Sequence, residues 1–184
     1  ENVLSKLKLR LGYGVTGQQE IGDYQYITSY SFSTNPNTTY LGTTLLKPNG
    51  YSPDLKWEQT TTYNVAIDFG FLNNRINGSI EYYQKRTKDL LNTVSVPAGS
   101  NYTNQITANV GSMKNEGIEF NINAVAVQMK DFSWDLGYNV TWNTSKITKL
   151  TATFNTDYEG IDAGSASYGN GTVLQKHQVG YAPS

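Results

Sequence analysis

Few residues in this chain combine the types and spacing that chemistry requires. Gly12, Gly14 and Gly17 match the G-x-G-x-x-G pattern that cradles the pyrophosphate of a dinucleotide. Such a site also needs a helix that opens at the glycines and an acidic residue about 20 positions further on. The residues after Gly17 show no helical period. We therefore interpret these glycines as positions where a strand leaves a sheet.

The chain offers little for nucleophilic or metal-dependent catalysis. His177 is the single histidine, so a Ser-His-Asp triad or a His-rich metal site would have to use it. It lies in a loop-like tail, and we interpret it as a solvated side chain. The chain contains 0 cysteines, which excludes a thiol nucleophile, a disulfide scaffold and a Cys-based zinc site. The sequence thus predicts neither an enzyme nor a cofactor.

One segment begins like a calcium-binding loop. Residues 155–160 place oxygen-bearing side chains at alternate positions. The twelfth position is Ala166, where an EF-hand needs a bidentate glutamate, so an EF-hand is excluded. An irregular calcium site and an ordinary Asn-rich turn both stay open.

Composition narrows the class of protein further. Lys+Arg total 14 and Asp+Glu total 15, and no run of basic residues appears, which argues against a nucleic-acid partner. Aromatic residues make up 12% of the chain, too many for a disordered segment. Abundant Tyr and Thr favour strands over helices.

The elements that must position any site are strands, because five segments alternate with a period of two. In the last of them Trp134, Leu136 and Tyr138 share one face, while polar residues occupy the other. The predicted strands lie near 4–15, 60–71, 75–87, 116–127 and 132–145.

The connections between these strands are of two kinds. Two are short, at 72–75 and 128–131, whereas long loops are predicted near 16–56, 88–110 and 150–184. If neighbouring strands are antiparallel, the short turns lie at one end of the sheet and the long loops at the other. Outer-membrane barrels have this asymmetry. The sequence therefore predicts an all-β fold, an antiparallel up-and-down meander that is a partial segment of a transmembrane β-barrel over residues 1–184.

Aromatic spacing agrees with a membrane-spanning sheet. Trp134 and Trp142 share the apolar face, and the strand between them covers ~26 Å, or about 20 Å along the membrane normal after a ~40° tilt. Aromatic girdles flank an apolar band ~25 Å tall in such barrels. The alternative is a secreted β-sandwich that binds glycans, since large aromatics also alternate in a sandwich core.

The polar face supplies the candidate functional residues. Carboxylates and amides there suit a wetted lumen and could contact a substrate, although they could equally be solvated barrel lining. The candidates are Asp68, Glu81, Glu119, Asn121, Asn123 and Asp135.

Several short stretches, in this order and spacing, together resemble the SusC/RagA-type TonB-dependent outer-membrane transporters. The resemblance covers nearly the whole chain and corresponds to the later part of that family's barrel. The stretches that carry it are 7–10, 12–17, 21–24, 55–60, 64–70, 75–78, 82–83, 87–91, 109–119, 139–143, 146–147 and 179–181.

The resemblance implies a bacterial outer-membrane barrel of about 22 strands with a plugged lumen. It implies import of oligosaccharides or peptides, with TonB and a SusD-like surface lipoprotein as partners and outer-membrane lipid around the wall. The family's TonB box and plug match nothing in this sequence, and its substrate-binding residues vary, so none can be carried over. An isolated arc with open strand edges and an uncovered apolar face is expected to self-associate.

Overall fold

The computed structural model describes residues 3–18, 22–32, 39–40, 43–44, 46–151, 160–165 and 173–183. Within those ranges all regular structure is β-strand, and no helix there is long and apolar enough to cross a membrane. The strands are β1 (Leu4–Gln18), β2 (Tyr30–Phe32), β3 (Thr39–Tyr40), β4 (Thr43–Thr44), β5 (Leu46–Pro48), β6 (Glu58–Phe71), β7 (Ile76–Ser95), β8 (Gln105–Gln128), β9 (Ser133–Leu150), β10 (Ile161–Ser165) and β11 (Val173–His177).

The five long strands form one antiparallel sheet in the order β1-β6-β7-β8-β9. Short turns join β6 to β7 and β8 to β9, and both turns lie at the same end of the sheet. The first of them places Leu72, Asn73 and Asn74 at positive φ, with values of 53°, 54° and 63°. Asparagine tolerates this region readily. The predicted antiparallel meander is confirmed.

The strands are longer than the alternation pattern indicated. The loop predicted over 88–110 is wrong, because β7 continues to Ser95 and β8 begins at Gln105. A bulge at Asp89, where φ is 56°, interrupts the ladder without ending it. Alternation marks only the part of a strand that has one apolar face, whereas backbone pairing continues through residues that are polar on both faces.

The first strand also continues past its predicted end. Gly17 pairs with Gln59 and Gln18 pairs with Glu58, so the three glycines of the G-x-G-x-x-G match lie inside β1. The interpretation that the strand leaves the sheet at these glycines is therefore wrong. A glycine inside a strand can make the same backbone hydrogen bonds to the neighbouring strand as any other residue, because the ladder involves no side-chain atoms.

The other two predicted loops contain small hairpins. In 16–56, β2 pairs with β5 and β3 pairs with β4. In 150–184, β10 pairs with β11, so His177 lies in a strand opposite Ile161, half-buried. Its Nδ1 atom is buried and has no hydrogen-bond partner among the described residues. The interpretation of His177 as a solvated loop residue is wrong, and residues 155–159 of the calcium-loop hypothesis lie outside the described ranges.

Asparagine side chains fasten the segment before β6 to the extended β7–β8 hairpin. Asn109 accepts a hydrogen bond from the Lys56 backbone N–H at 2.8 Å and donates to the Lys56 carbonyl at 2.8 Å. Asn101 donates to the Tyr51 carbonyl at 2.9 Å. The segment around Tyr51 and Lys56 has no strand pairing with the β7–β8 hairpin, and these amide hydrogen bonds hold it against the hairpin instead.

The sheet has almost no core. The buried apolar side chains within the described ranges are Ala66, Val96, Val110 and Ile147, whereas Leu9 and Trp142 are 61% and 63% exposed. The extensive contacts among the long strands are all between neighbours within a single layer. A β-sandwich buries its apolar faces between two sheets. The alternative of a glycan-binding sandwich is therefore wrong.

Candidate functional site

The strand register sorts the side chains of the five-stranded sheet onto two faces. Residues that pair directly across strands share a face, and successive residues along a strand alternate. One transverse row of the polar face consists of Arg10, Ala66, Glu81, Glu119 and Thr141. The next row toward the short turns consists of Lys8, Asp68, Ser79, Asn121 and Asn139.

Arg10 is the centre of a charged cluster on this face. Its Nε donates to both Asp68 carboxylate oxygens at 3.1 Å, and its Nη2 donates to Glu81 Oε2 at 3.2 Å. Asn64 Nδ2 donates to the other oxygen of Glu81 at 3.2 Å. The two carboxylates thus share one guanidinium, and the cluster holds a net negative charge.

Gly12 makes room for this arrangement. A Cβ at this position would overlap the side-chain amide of Asn64. The absence of a side chain lets Asn64 lie against β1 while its nitrogen bonds to Glu81. Gly14, two residues along the same face, has open space above it.

An amide ladder adjoins the charged cluster. Asn123 Nδ2 donates to Asn121 Oδ1 at 3.0 Å, and Asn121 Nδ2 donates to Asn139 Oδ1 across the β8–β9 pair. Asn121 belongs to the same transverse row as Asp68, so the ladder extends this row across the sheet. Amides supply both donors and acceptors, so this part of the face can bond to hydroxyls or peptide groups.

Two shallow cavities follow the polar face. One, of about 250 Å³, is lined by Thr62, Asn64, Glu81, Tyr83, Lys85 and Glu119. The other, of about 420 Å³, is lined by Lys6, Asp68, Phe69, Asn74, Asn77, Gly78, Ser79 and Asn121. The structure therefore brings the predicted residues together along one strip, apart from Asp135. That residue lies near a short turn, where it accepts a hydrogen bond from Ser133 Oγ at 3.3 Å.

Sequence reasoning missed the basic and aromatic members of the strip, Arg10, Lys85 and Tyr83. Lys85 Nζ lies 5.7 Å from the centre of the Tyr83 ring, within cation–π range. Each of the three lies on the polar face of its predicted strand, so the alternation pattern contained the signal. Only carboxylates and amides were selected from it.

The strip has the chemistry of a surface that binds polar solutes. Among the residues that the structure describes, no group of three or more His, Cys, Asp or Glu side chains could hold a metal ion. The strip combines carboxylates, amides, an aromatic ring and cations on an open surface. Such a surface can make many weak hydrogen bonds to a polar solute.

The opposite face is an apolar band. Its central rows contain Leu7, Phe69, Ile122 and Tyr138, then Leu9, Ile67, Ile80, Phe120 and Val140, then Leu11, Val65, Tyr82, Ile118 and Trp142. Most of these side chains are exposed, and exposed apolar patches of this extent mark contact with lipid or protein. A sheet with one lipid-like face, one polar face and its short turns at one end is the wall of a membrane β-barrel.

The chain belongs to the TonB-dependent receptor β-barrel family, since the family model described as "TonB dependent receptor-like, beta-barrel" matches residues 3–182. It is 50% identical over 188 residues to the TonB-dependent receptor SusC of Bacteroides thetaiotaomicron, which covers 98% of this chain and 18% of SusC. It is 34% identical over 167 residues to the TonB-dependent receptor P39 of Formosa agariphila, covering 88% of this chain and 15% of P39.

Solved structures agree with these sequence matches. The RagAB peptide importer in its "open-open" state superposes with a TM-score of 0.74 at 29% identity, covering 98% of this chain and 18% of that chain. The RagAB peptide transporter superposes with a TM-score of 0.70 at 32% identity, and the match covers 82% of this chain and 16% of that chain. The chain spans less than a fifth of the length of these relatives. The family places the chain in the bacterial outer membrane.

Proposed function

We propose that this segment is part of an outer-membrane importer of oligosaccharides or peptides, to which it supplies barrel wall and extracellular loops. The observation that carries the proposal is the two-faced sheet. Its apolar face is largely exposed, while its polar face holds the hydrogen-bonded strip around Arg10 and Asn121. A wall of this kind separates lipid from a wetted lumen.

The chemistry of the strip supports a polar, hydrogen-bonding solute. Asp68, Glu81 and Glu119 offer acceptors, and Asn121 and Asn123 offer donors and acceptors. Oligosaccharides and peptides both present such groups at short intervals. Similarity to SusC and to the RagAB peptide importer supports this class of substrate.

The proposed partners are TonB and a SusD-like surface lipoprotein. In outer-membrane barrels the short turns face the periplasm and the longer connections face outward. The lipoprotein would therefore sit at the end of the sheet where the β7–β8 hairpin extends. The role is transport and not catalysis, because the strip has the open, mixed polarity of a lining.

Uptake by cells tests this function. In the parent bacterium, deletion of the full gene should abolish uptake of one labelled pool, either oligosaccharides or oligopeptides, and deletion of TonB should abolish the same uptake. Uptake of both pools at parental rates in the deletion strain would overturn the proposal.

Two neighbouring substitutions test the role of the polar face. Glu119 belongs to the strip on the polar face, whereas Ile118 belongs to the apolar band. Glu119→Ala should change the uptake rate severalfold, while Ile118→Ala should leave uptake per folded transporter unchanged. Equal effects of both variants would show that the polar strip does not contact the solute.

A further inference from the structure

Three cations line up across the apolar face beyond the band. Arg86 on β7 pairs directly with Lys114 on β8, and Lys114 pairs directly with Lys146 on β9. We call these three residues the basic row. No run of basic residues marks it in the sequence, because its members come from three different strands.

The depth of the basic row is that of lipid headgroups. It lies two rows beyond Tyr82, Ile118 and Trp142, the last row of the apolar band. That separation is about 13 Å along a strand and about 10 Å along the membrane normal at a ~40° tilt. Tyr and Trp mark the interface between hydrocarbon and headgroups, and the headgroup region begins just outside it.

The row is short of negative partners. Like charges that lie directly opposite each other destabilise a sheet. The intervening row contributes one acid, Glu116, whose Oε2 lies 2.7 Å from Lys114 Nζ. Arg86 donates to the neutral oxygen of Gln84 at 2.8 Å, and Lys146 has no ion pair in the part of the chain that the structure describes.

Further cations extend the same surface outward. Lys88 lies two residues beyond Arg86 on β7, and Lys149 pairs with Ser112, two residues beyond Lys114 on β8. Both lysines are exposed. Among the residues that the structure describes, the surface above the apolar band thus carries more positive than negative charge, with Lys114 paired to Glu116.

We infer that the basic row binds the phosphate groups of a phosphorylated lipid in the outer leaflet. Arginine can hold a phosphate with two parallel hydrogen bonds, and lysine contributes a point charge. The row faces the same way as the apolar band, so a ligand bound there can place acyl chains on the band and its phosphates on the cations. A soluble substrate would use the opposite face. The inference depends on the membrane orientation of the sheet and is independent of what is transported.

The test uses the full-length transporter that contains this segment, reconstituted in phosphatidylcholine nanodiscs. The nanodiscs are doped with diphosphorylated lipid A or with the same lipid A after removal of its phosphates, and the lipid bound per protein is measured by native mass spectrometry. A Lys or Arg near a charged lipid surface contributes roughly a fivefold factor in affinity. The triple variant Arg86→Gln, Lys114→Gln, Lys146→Gln should therefore bind the phosphorylated lipid about a hundredfold more weakly.

A matched variant separates the row from total charge. Lys6→Gln, Lys8→Gln, Lys85→Gln removes three cations from the polar face of the same sheet and should leave lipid binding unchanged. Lys146→Gln alone should weaken binding about fivefold. Because Lys146 is exposed, this single variant should fold normally, so it still tests the inference if the triple variant misfolds.

Three outcomes would overturn the inference. They are equal binding of the two lipid A forms, equal loss in the polar-face variant, and full displacement of the lipid by millimolar inorganic phosphate. The last would show a free-anion site and not a lipid site.

Discussion

A charge placed within the apolar band tests the assignment of the two faces. Ile80 lies on the apolar face with Ile67 and Phe120 as its direct neighbours, whereas Ser79, one residue earlier, lies on the polar face beside Asp68. The perturbation is arginine at either position, Ile80→Arg or Ser79→Arg. The two variants have the same added charge and nearly the same place in the chain.

The expected magnitude follows from the depth of Ile80. About 20 Å of strand separates Ile80 from Arg86 at ~3.3 Å per residue, which is about 15 Å along the normal at a ~40° tilt. Ile80 lies one row, about 5 Å along the normal, inside the row of Tyr82 and Trp142 that borders the apolar band, so it lies within the hydrocarbon between the interface and the midplane. Arginine costs ~2–4 kcal/mol at the midplane of a barrel and ~0–1 kcal/mol near the interfaces, so we expect about 1–3 kcal/mol here, or roughly 5- to 150-fold in the unfolding equilibrium. Ser79→Arg should change the free energy of unfolding by less than ~0.5 kcal/mol, because it projects toward water.

The assay is equilibrium unfolding of the full-length transporter in lipid vesicles, followed by tryptophan fluorescence against urea. Tyr82→Arg, one row nearer the interface, should have a smaller cost than Ile80→Arg, since the penalty falls toward the interfaces. A result in which Ser79→Arg is as destabilising as Ile80→Arg, or Tyr82→Arg is the worst of the three, would refute the assignment of the faces.

Three further predictions concern the polar strip and the isolated segment. Gly12→Ala should cost about 1–2 kcal/mol of unfolding free energy because its Cβ displaces Asn64, whereas Gly14→Ala, in open space, should cost nothing; urea unfolding compares the two, and equal costs would contradict the steric reason. Arg10→Gln and Glu81→Gln should be coupled only weakly in a double-mutant cycle, because both side chains are partly exposed; additive effects would mean that the ion pair contributes nothing. The isolated 184-residue chain should self-associate through its open strand edges, and a stable monomer in light scattering would show that these edges are protected.

The membrane-spanning part of the fold was readable from the sequence for a physical reason. One face of each strand must be apolar there, so alternation reveals the strand and its direction of facing. Beyond the band no face needs to be apolar, and the pattern ceases while the ladder continues. The extension of β7 to Ser95 and the start of β8 at Gln105 were therefore not visible.

The strip on the polar face was readable only where short turns fix the register. The turn at 72–75 places Asp68 opposite Ser79 and Glu81 opposite Ala66, and a count from the turn predicts both. The long connection between β1 and β6 fixes no register, so the ion pair between Arg10 and Asp68 could not be predicted without the structure. A bulge between Val125 and Val127 shifts β8 against β9 by one residue, and nothing in the sequence of that turn indicates it.

The extended β7–β8 hairpin has a consequence for recognition of the cell surface by molecules outside the cell. From Arg86 to Ser95 the strand covers about 30 Å, so the tip stands well clear of the headgroups. A compact turn closes it, in which the Pro97 carbonyl accepts hydrogen bonds from the Ser100 backbone N–H at 3.1 Å and the Ser100 hydroxyl at 2.7 Å. Gly99, at φ 85°, has open space around it. Residues 97–100 at this tip are exposed, so we expect antibodies and phage to contact them, and we expect substitutions or short insertions there to alter recognition without disturbing the sheet.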